Sequence, residues 1–149
     1  RSIGTLGPLF IAYLAVPFSQ FQDIFYNSLK VIQKKFQNEI DYQEQIWLFA
    51  TNDGFIRAFK NMKFFFKEKI TEGPILAISI GPGALFAAAI TRNDPTLIKI
   101  DLKSSMFLSF SKKRVVDSVK IEVQKGFTVD NMKIEWESRN SCHVQYYLS

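Results

Sequence analysis

The residues that most often act as nucleophiles, general bases and zinc ligands are scarce in this sequence, which contains one cysteine and one histidine, Cys142 and His143. Adjacent residues of a strand point to opposite faces of a sheet, so on the strand predicted here the two side chains do not form a nucleophile–base pair. Two ligands are also too few for a zinc site built from cysteine and histidine. A single cysteine permits no disulfide within the chain, which favours a reducing, intracellular compartment.

The glycines of Gly81-Pro82-Gly83 are not predicted to form a phosphate-binding loop. The proline has no N–H to donate to an anion, and no Gly-Lys-Ser or Gly-Lys-Thr follows it. Among the scattered carboxylates, Glu135 and Glu137 share a predicted strand face and could bind a cation. Lys133 shares that face, however, and a solvated surface is the commoner arrangement. We therefore predict no catalytic residue, no metal site and no cofactor, and we favour a non-enzymatic role.

Basic residues form the densest cluster of ionisable groups, in a predicted turn at Lys112-Lys113-Arg114 and around the phenylalanine run Phe64–Phe66. Positive charge binds phosphates and aromatic rings stack on bases, so this combination is typical of proteins that bind single-stranded nucleic acid. The same charge would also bind an acidic protein. The turn should be exposed, because three adjacent cations cannot share a buried site without partners. The predicted contacts are Lys112, Lys113, Arg114, Lys60, Lys63 and Lys67.

The composition is that of a folded domain, with 47% hydrophobic residues, 22% charged residues and a net charge of +5. Phenylalanine is unusually frequent, at 15 residues, and part of this surplus is expected on a surface that meets a partner. We predict a single α+β domain over residues 1–149. Because the chain begins at Arg1 rather than methionine, we expect a processed chain or a fragment.

The C-terminal half alternates apolar and polar residues with the period of two that is typical of half-buried strands. Short polar turns separate the four alternating segments, which favours antiparallel pairing. The apolar positions of these segments are Ile98, Ile100, Leu102, Val119, Ile121, Val123, Met132, Ile134, Trp136, Val144, Tyr146 and Leu148.

A helix is predicted from Ser19 to Phe36, where Ser19 is a suitable N-cap and the apolar residues recur at helical spacing. An antiparallel sheet with one apolar face needs a covering layer, and this amphipathic helix would supply it. The predicted fold is therefore α+β, an antiparallel sheet of five or more strands covered by an N-terminal helix. Residues expected to be mostly buried are Phe21, Phe25, Ile32, Ile98, Ile100, Val119, Ile121, Ile134 and Trp136.

Two stretches, residues 2–22 and 73–91, contain no charged residue, and each is compatible either with buried strands or with contact with a membrane. We favour buried strands over Leu9–Val16 and Ile75–Ile80, the second followed by a short alanine-rich helix over Ala84–Thr91, for which a strand is the alternative. Contact with a membrane is the other possibility, although each stretch falls short of an uninterrupted apolar span of about 20 residues.

The segment Asn52-Asp53-Gly54 after a predicted strand, Ile46–Thr51, also has two interpretations. It can close a hairpin with Gly54 at positive φ, or it can cap a helix over residues 55–70. The aromatic density of that segment favours strands and therefore the hairpin.

For function, we expect a non-enzymatic protein-interaction or assembly module that is a subunit of a larger complex. A nucleic-acid-binding subunit that uses the basic and aromatic residues is the alternative. A membrane-associated protein with an N-terminal apolar anchor is the third possibility.

Overall fold

A computed structural model describes residues 9–16, 18–20, 23–24, 26–27, 30, 45–60, 63–103, 113–123, 125–126, 130 and 132–146. Over these ranges the chain is almost entirely β-structure, with two short 3-10 turns at Phe18–Gln20 and Pro82–Ala84. The strands are β1 Leu9–Val16, β2 Gln45–Thr51, β3 Phe55–Lys60, β4 Lys63–Lys69, β5 Ile75–Ile80, β6 Phe86–Thr91, β7 Thr96–Asp101, β8 Val115–Lys120, β9 Met132–Trp136 and β10 Cys142–Tyr146.

The strands form two four-stranded sheets and a separate hairpin. The first sheet has the order β1-β2-β3-β4 and the second has the order β5-β6-β7-β8, while β9 and β10 pair only with each other among the described strands. All neighbours pair antiparallel except β1 and β2, which are parallel. The connection between these two strands spans residues 17–44, which is long enough for the crossover that a parallel pair requires.

The two four-stranded sheets share one apolar core. Even-numbered residues of β2, β3 and β7 contribute to it together with odd-numbered residues of β6, as the period of two in a strand requires. Along one side, β1 of the first sheet lies beside β5 of the second. The buried residues of this core are Ile46, Leu48, Ala50, Ile56, Ala58, Phe66, Ile75, Ala84, Ala87, Ala89, Ile98, Ile100 and Leu102.

The β2–β3 turn confirms the predicted hairpin and excludes the alternative helix over residues 55–70. Gly54 has φ of +88° and donates its N–H to the Thr51 carbonyl at 3.1 Å. A Cβ at this position would lie 2.0 Å from the Thr71 carbonyl oxygen. Only glycine is therefore compatible with both the backbone conformation and the close approach of the Thr71 backbone, which lies between β4 and β5.

The predicted α+β class, with a helix from Ser19 to Phe36 covering the sheet, is wrong. In the described part of the chain no helix reaches seven residues. Within the predicted helix, residues 23, 24, 26, 27 and 30 have helical conformation, and most of the rest lies outside the described residues, including Phe21, Phe25 and Ile32. The apolar face of the second sheet is instead covered by the first sheet, whose strands are rich in the aromatic and branched residues that favour β-structure.

The predicted helix over Ala84–Thr91 is also wrong, because Phe86–Thr91 is the strand β6 and the alternative holds. Every residue of β6 is buried: Ala87 and Ala89 face the shared core, and the β9–β10 hairpin lies against the strand from outside. Alanine has high helix propensity, but its small side chain also suits a strand that is covered on both faces, and this packing outweighs the propensity.

The predicted burial of Ile98 and Ile100 is confirmed, whereas Ile121, Ile134 and Trp136 are half-buried. Val119 is 57% exposed, contrary to prediction, because it lies on the outer face of the edge strand β8. The apolar stretches within residues 2–22 and 73–91 form β1, β5 and β6. Over the described ranges there is no helix with the length and apolar character to cross a membrane.

Candidate interaction cleft

On the side opposite β1 and β5, each sheet ends in an edge strand, β4 in the first sheet and β8 in the second. Between these edges lies an open cleft of about 700 Å³. One wall comes from the end of β4 and the residues after it, and the other comes from β7 and β8. The lining residues are Lys67, Glu68, Lys69, Ile70, Thr71, Thr91, Asp94, Thr96, Ile98, Lys113, Val115 and Ser118.

The floor of this cleft is apolar, formed by Ile70, Ile98 and Val115, which also contact or belong to the shared core. The polar groups at one end are engaged in a turn: Thr91 Oγ1 donates to the Asp94 carbonyl at 2.8 Å and accepts from the Thr96 N–H at 3.1 Å. The cleft therefore has an apolar base that is continuous with the shared core.

Both walls of the cleft end in strand edges that pair with no other strand among the described residues. An edge strand presents backbone N–H and C=O groups on which another strand can pair. The edge at β8 has an irregular register beside Val116, because Lys99 pairs with Asp117 whereas Ile100 pairs with Val115. Val116 and Val119 are 46% and 57% exposed, so this edge also presents apolar side chains.

Three lysines and two carboxylates border the cleft. Lys67 and Lys69 pair with Arg57 and Phe55 and so share the outer face of the first sheet, whereas Glu68 pairs with Ile56 on the core face. The Glu68 carboxylate accepts the Arg114 N–H, at 3.0 and 3.1 Å for its two oxygens. Asp94 Oδ2 lies 3.8 Å from Lys120 Nζ. Both carboxylates are therefore balanced by nearby donors.

The predicted basic turn is not uniformly exposed. Lys113 is exposed and lines the cleft, whereas Arg114 is half-buried, and Lys112 lies outside the described residues. The Arg114 guanidinium lies 4.5 Å from the Phe65 ring centroid and donates to the Lys103 carbonyl at 2.6 Å. With its N–H on Glu68, Arg114 thus connects the start of β8 to β4 and acts in the fold rather than as an open contact.

The other predicted contact residues lie on or beside β4. Lys67 lines the cleft, with its ammonium 5.5 Å from the Phe55 ring centroid. Lys60 is half-buried and its ammonium lies 5.6 Å from the Phe65 ring centroid. Lys63 is exposed at the start of β4, next to Phe64, which is 63% exposed. Lys67 and Lys113 thus both border the cleft, but the Lys67 ammonium lies on the outer face of the first sheet, and Lys63 lies with Phe64 at the end of the edge strand.

Cys142 and His143 point to different sides of β10, as predicted. Cys142 lines a smaller pocket of about 270 Å³. Burial raises the pKa of its thiol; the positive charge of Lys99 lowers this pKa, and the negative charge of Glu137 raises it further. The thiol is therefore protonated at neutral pH and is a poor nucleophile. His143 Nδ1 lies 2.6 Å from Glu137 Oε1 on the exposed side. Within the described ranges no three acidic, histidine or cysteine side chains group as metal ligands.

Sequence reasoning missed the cleft residues Ile70, Val115 and Ser118, which carry no motif. Ile70 follows β4, whereas Ser118 lies in β8, and only the packing of the two sheets brings their strands to opposite walls. The chain matches no known protein family, no curated protein and no solved structure. Its function must therefore be inferred from the cleft and its strand edges.

Proposed function

We propose that this chain is a protein-interaction module, a subunit of a larger complex, which receives an extended segment of its partner in the cleft between β4 and β8. One observation carries the proposal: an open cleft of about 700 Å³ lies between two strand edges that pair with no described strand. In strand addition, backbone hydrogen bonds to a sheet edge supply affinity and the side-chain environment supplies specificity.

The dimensions of the cleft support an extended occupant. An added strand lies about 5 Å from the strand with which it pairs, so a single strand would extend either edge into the opening of the cleft. The volume lies within the range of about 300–1,000 Å³ that is usual for specific ligand pockets. The apolar floor of Ile70, Ile98 and Val115 would bury side chains of that strand.

The test is selection from a displayed library of random peptides of roughly eight residues, about the length of a long strand. Selected peptides are then measured against Ser118→Trp, which fills the cleft from an exposed position on β8, and Gln145→Trp, which places the same ring on the exposed face of β10. We expect the first variant to lose roughly tenfold or more in affinity and the second to bind as the parent does. Failure to enrich any peptide, or equal binding by both variants, would refute the proposal.

A second candidate, binding of single-stranded nucleic acid, is favoured by Phe64 and Lys63. Phe64 ends a row of edge-to-face rings, 6.0 Å from Phe59, which is in turn 5.9 Å from Phe49. An exposed ring beside an exposed lysine offers a stacking surface and a phosphate contact.

Anisotropy of a labelled oligothymidylate at low salt tests this candidate. Phe64→Ala should weaken binding by about 1–3 kcal/mol, the usual value of one stacked base. Val119→Ala removes an exposed apolar side chain from the other edge strand and should have no effect. Absence of binding by the parent protein at low salt would exclude this function.

A further inference from the structure

We infer that Asp117 is an autoinhibitory cap on the β8 edge, which a partner strand displaces when it pairs with this edge. This inference rests on the proposed function and specifies its regulation. The partner strand adds to β8 rather than to β4, and the Asp117 carboxylate lowers the affinity for that strand.

The two edges that border the cleft are protected from pairing in different ways. Lysine side chains are a usual protection of an edge strand, and β4 carries Lys63, Lys67 and Lys69, all exposed. The β8 strand carries one lysine, Lys120, and exposes the apolar side chain of Val119. Judged by its side chains, β8 is therefore the more open edge.

The backbone groups that β8 presents to a partner belong to Ser118 and Lys120. In an antiparallel pair, residues that exchange hydrogen bonds with the neighbouring strand alternate with residues whose N–H and C=O groups point away from it. Ile121 donates its N–H to the Pro95 carbonyl at 2.8 Å, so the residues two and four positions earlier also direct their backbone groups to β7. The intervening Ser118 and Lys120 therefore direct theirs to the free edge.

The Asp117 carboxylate already occupies one of these groups, because its Oδ1 accepts the Ser118 N–H at 2.8 Å. A cation, Lys99, lies opposite Asp117 on β7, but its ammonium donates to the Asn140 carbonyl and lies 4.2 Å from the Phe86 ring centroid. The carboxylate is thus bound to the edge of its own strand. A partner strand that pairs with Ser118 needs the same N–H and has to displace Asp117.

The position of this cap makes it effective. The register of β8 is irregular beside Val116, so the regular part of the edge begins at Asp117 and Ser118 is its first residue with outward backbone groups. Asp117 is exposed, so its carboxylate can move into water at small cost when a partner arrives. The cap therefore weakens strand addition without preventing it.

The test begins with peptides of roughly eight residues, selected on the parent from a library that lacks lysine and arginine, so that none can pair with the carboxylate. Asp117→Ala removes the competing acceptor, and these peptides should bind this variant roughly three- to tenfold more tightly than the parent, as expected for one exposed hydrogen bond. Failure of this library alone, when the unrestricted library yields ligands, would overturn the inference, because pairing with backbone groups requires no charge.

Two further variants separate the hydrogen bond from the charge. Asp117→Asn keeps an acceptor oxygen without the charge, so it should bind the peptides more weakly than Asp117→Ala does. Glu122→Ala removes an exposed carboxylate just after β8 without freeing a backbone group, so it should bind them as the parent does. If either variant tightens binding as much as Asp117→Ala, the charge limits the affinity and the inference fails.

Amide hydrogen exchange locates the added strand. Bound peptide should slow the exchange of the Ser118 and Lys120 amides, whose groups point to the free edge. Slowed exchange confined to Lys63–Lys69 would assign the peptide to β4 and overturn the inference.

The outcomes separate this inference from the proposed function. If Ser118→Trp blocks the peptides but Asp117→Ala binds them no more tightly than the parent, the cleft is an interaction site and Asp117 is not a cap. If neither library yields a ligand, or if Ser118→Trp binds the peptides as the parent does, the proposed function itself fails.

Discussion

At the scale of single residues, Arg57 of β3 is a buried cation whose side chain is 7% exposed. Its guanidinium donates to the Asp53 carboxylate at 3.2 and 3.3 Å and also to the Thr51 hydroxyl. Burial disfavours the Asp53 carboxylate, but hydrogen bonds from Arg57, Thr51 and the Phe55 N–H outweigh it and hold the pKa of Asp53 below its ordinary value. This cluster fixes the β2–β3 turn by giving a buried cation its counter-charge.

The lowered pKa of Asp53 predicts that the cluster loses its contribution in acid. A carboxyl group whose pKa is depressed on folding stabilises the protein above its unfolded pKa of about 4, and this stability is lost as the pH falls through the folded pKa. Asp53→Asn should lower the unfolding free energy at neutral pH by about 1–3 kcal/mol, because Arg57 loses its charged acceptor. Its stability should also depend less on pH below 4 than that of the parent.

Denaturant titrations at several pH values measure both effects. Asp130→Asn, in an exposed ion pair with Arg92, is the control and should change stability by less than about 1 kcal/mol. A parent and an Asp53→Asn variant with the same pH profile would contradict the role assigned to Asp53.

The two described residues of the basic turn should respond differently to truncation. Arg114→Ala removes the guanidinium from the Phe65 and Phe66 rings and from the Lys103 carbonyl, and should cost about 1–3 kcal/mol of stability. Lys113→Ala should cost less than about 0.5 kcal/mol, because the side chain is exposed. Chemical denaturation measures the difference, and equal stability of the two variants would show that Arg114 has no structural role.

At the scale of elements, the β9–β10 hairpin is held on the second sheet by Trp136. The indole Nε1 donates to Ser79 Oγ at 3.0 Å, and the ring lies over Gly81, where a Cβ would approach it to 2.8 Å. Gly81 has φ of −73°, so its backbone conformation is open to any residue and only the ring requires glycine.

This contact predicts a coupled pair of substitutions. Gly81→Ala should destabilise the protein and raise amide hydrogen exchange in Met132–Tyr146, because the added methyl group collides with the indole. In a Trp136→Leu background the same substitution should cost less, by about 0.5–3 kcal/mol, the range that is measured for residues in contact. Additive costs in the double-variant cycle would mean that the ring does not determine the requirement for glycine.

At the scale of the whole molecule, the shared core couples the two four-stranded sheets. Ile100 of β7 and Leu48 of β2 are both fully buried in one cluster, although they belong to different sheets. A cavity in one sheet therefore removes contacts from the other, and the two sheets should unfold together.

Ile100→Ala should lower the unfolding free energy by about 2–5 kcal/mol, whereas Val119→Ala, on the neighbouring strand but exposed, should change it by less than about 0.5 kcal/mol. In a Trp136→Phe background, which leaves Trp47 as the single tryptophan, fluorescence of this residue buried in the first sheet should report the same loss from Ile100→Ala that circular dichroism reports for the whole protein. A separate fluorescence transition would show that the sheets unfold independently.

The sequence alone determined the features that depend on neighbouring residues. The strands Leu9–Val16, Ile75–Ile80 and Met132–Trp136 follow from local apolar patterning and turn residues, and the positive φ of Gly54 follows from the local turn. The divergence of Cys142 and His143 likewise follows from the period of two in a strand.

Only the tertiary structure decided what depends on distant residues. The alanine-rich segment forms β6 because the first sheet and the β9–β10 hairpin cover its two faces, which local propensity does not encode. Arg114 is half-buried because Glu68 and Phe65 of β4 lie beside it. Glu68 is 46 residues away from Arg114 along the chain, so only the fold brings the two together. The cleft exists because two edge strands from different sheets face each other, an arrangement set by the packing of a shared core rather than by any segment of the sequence.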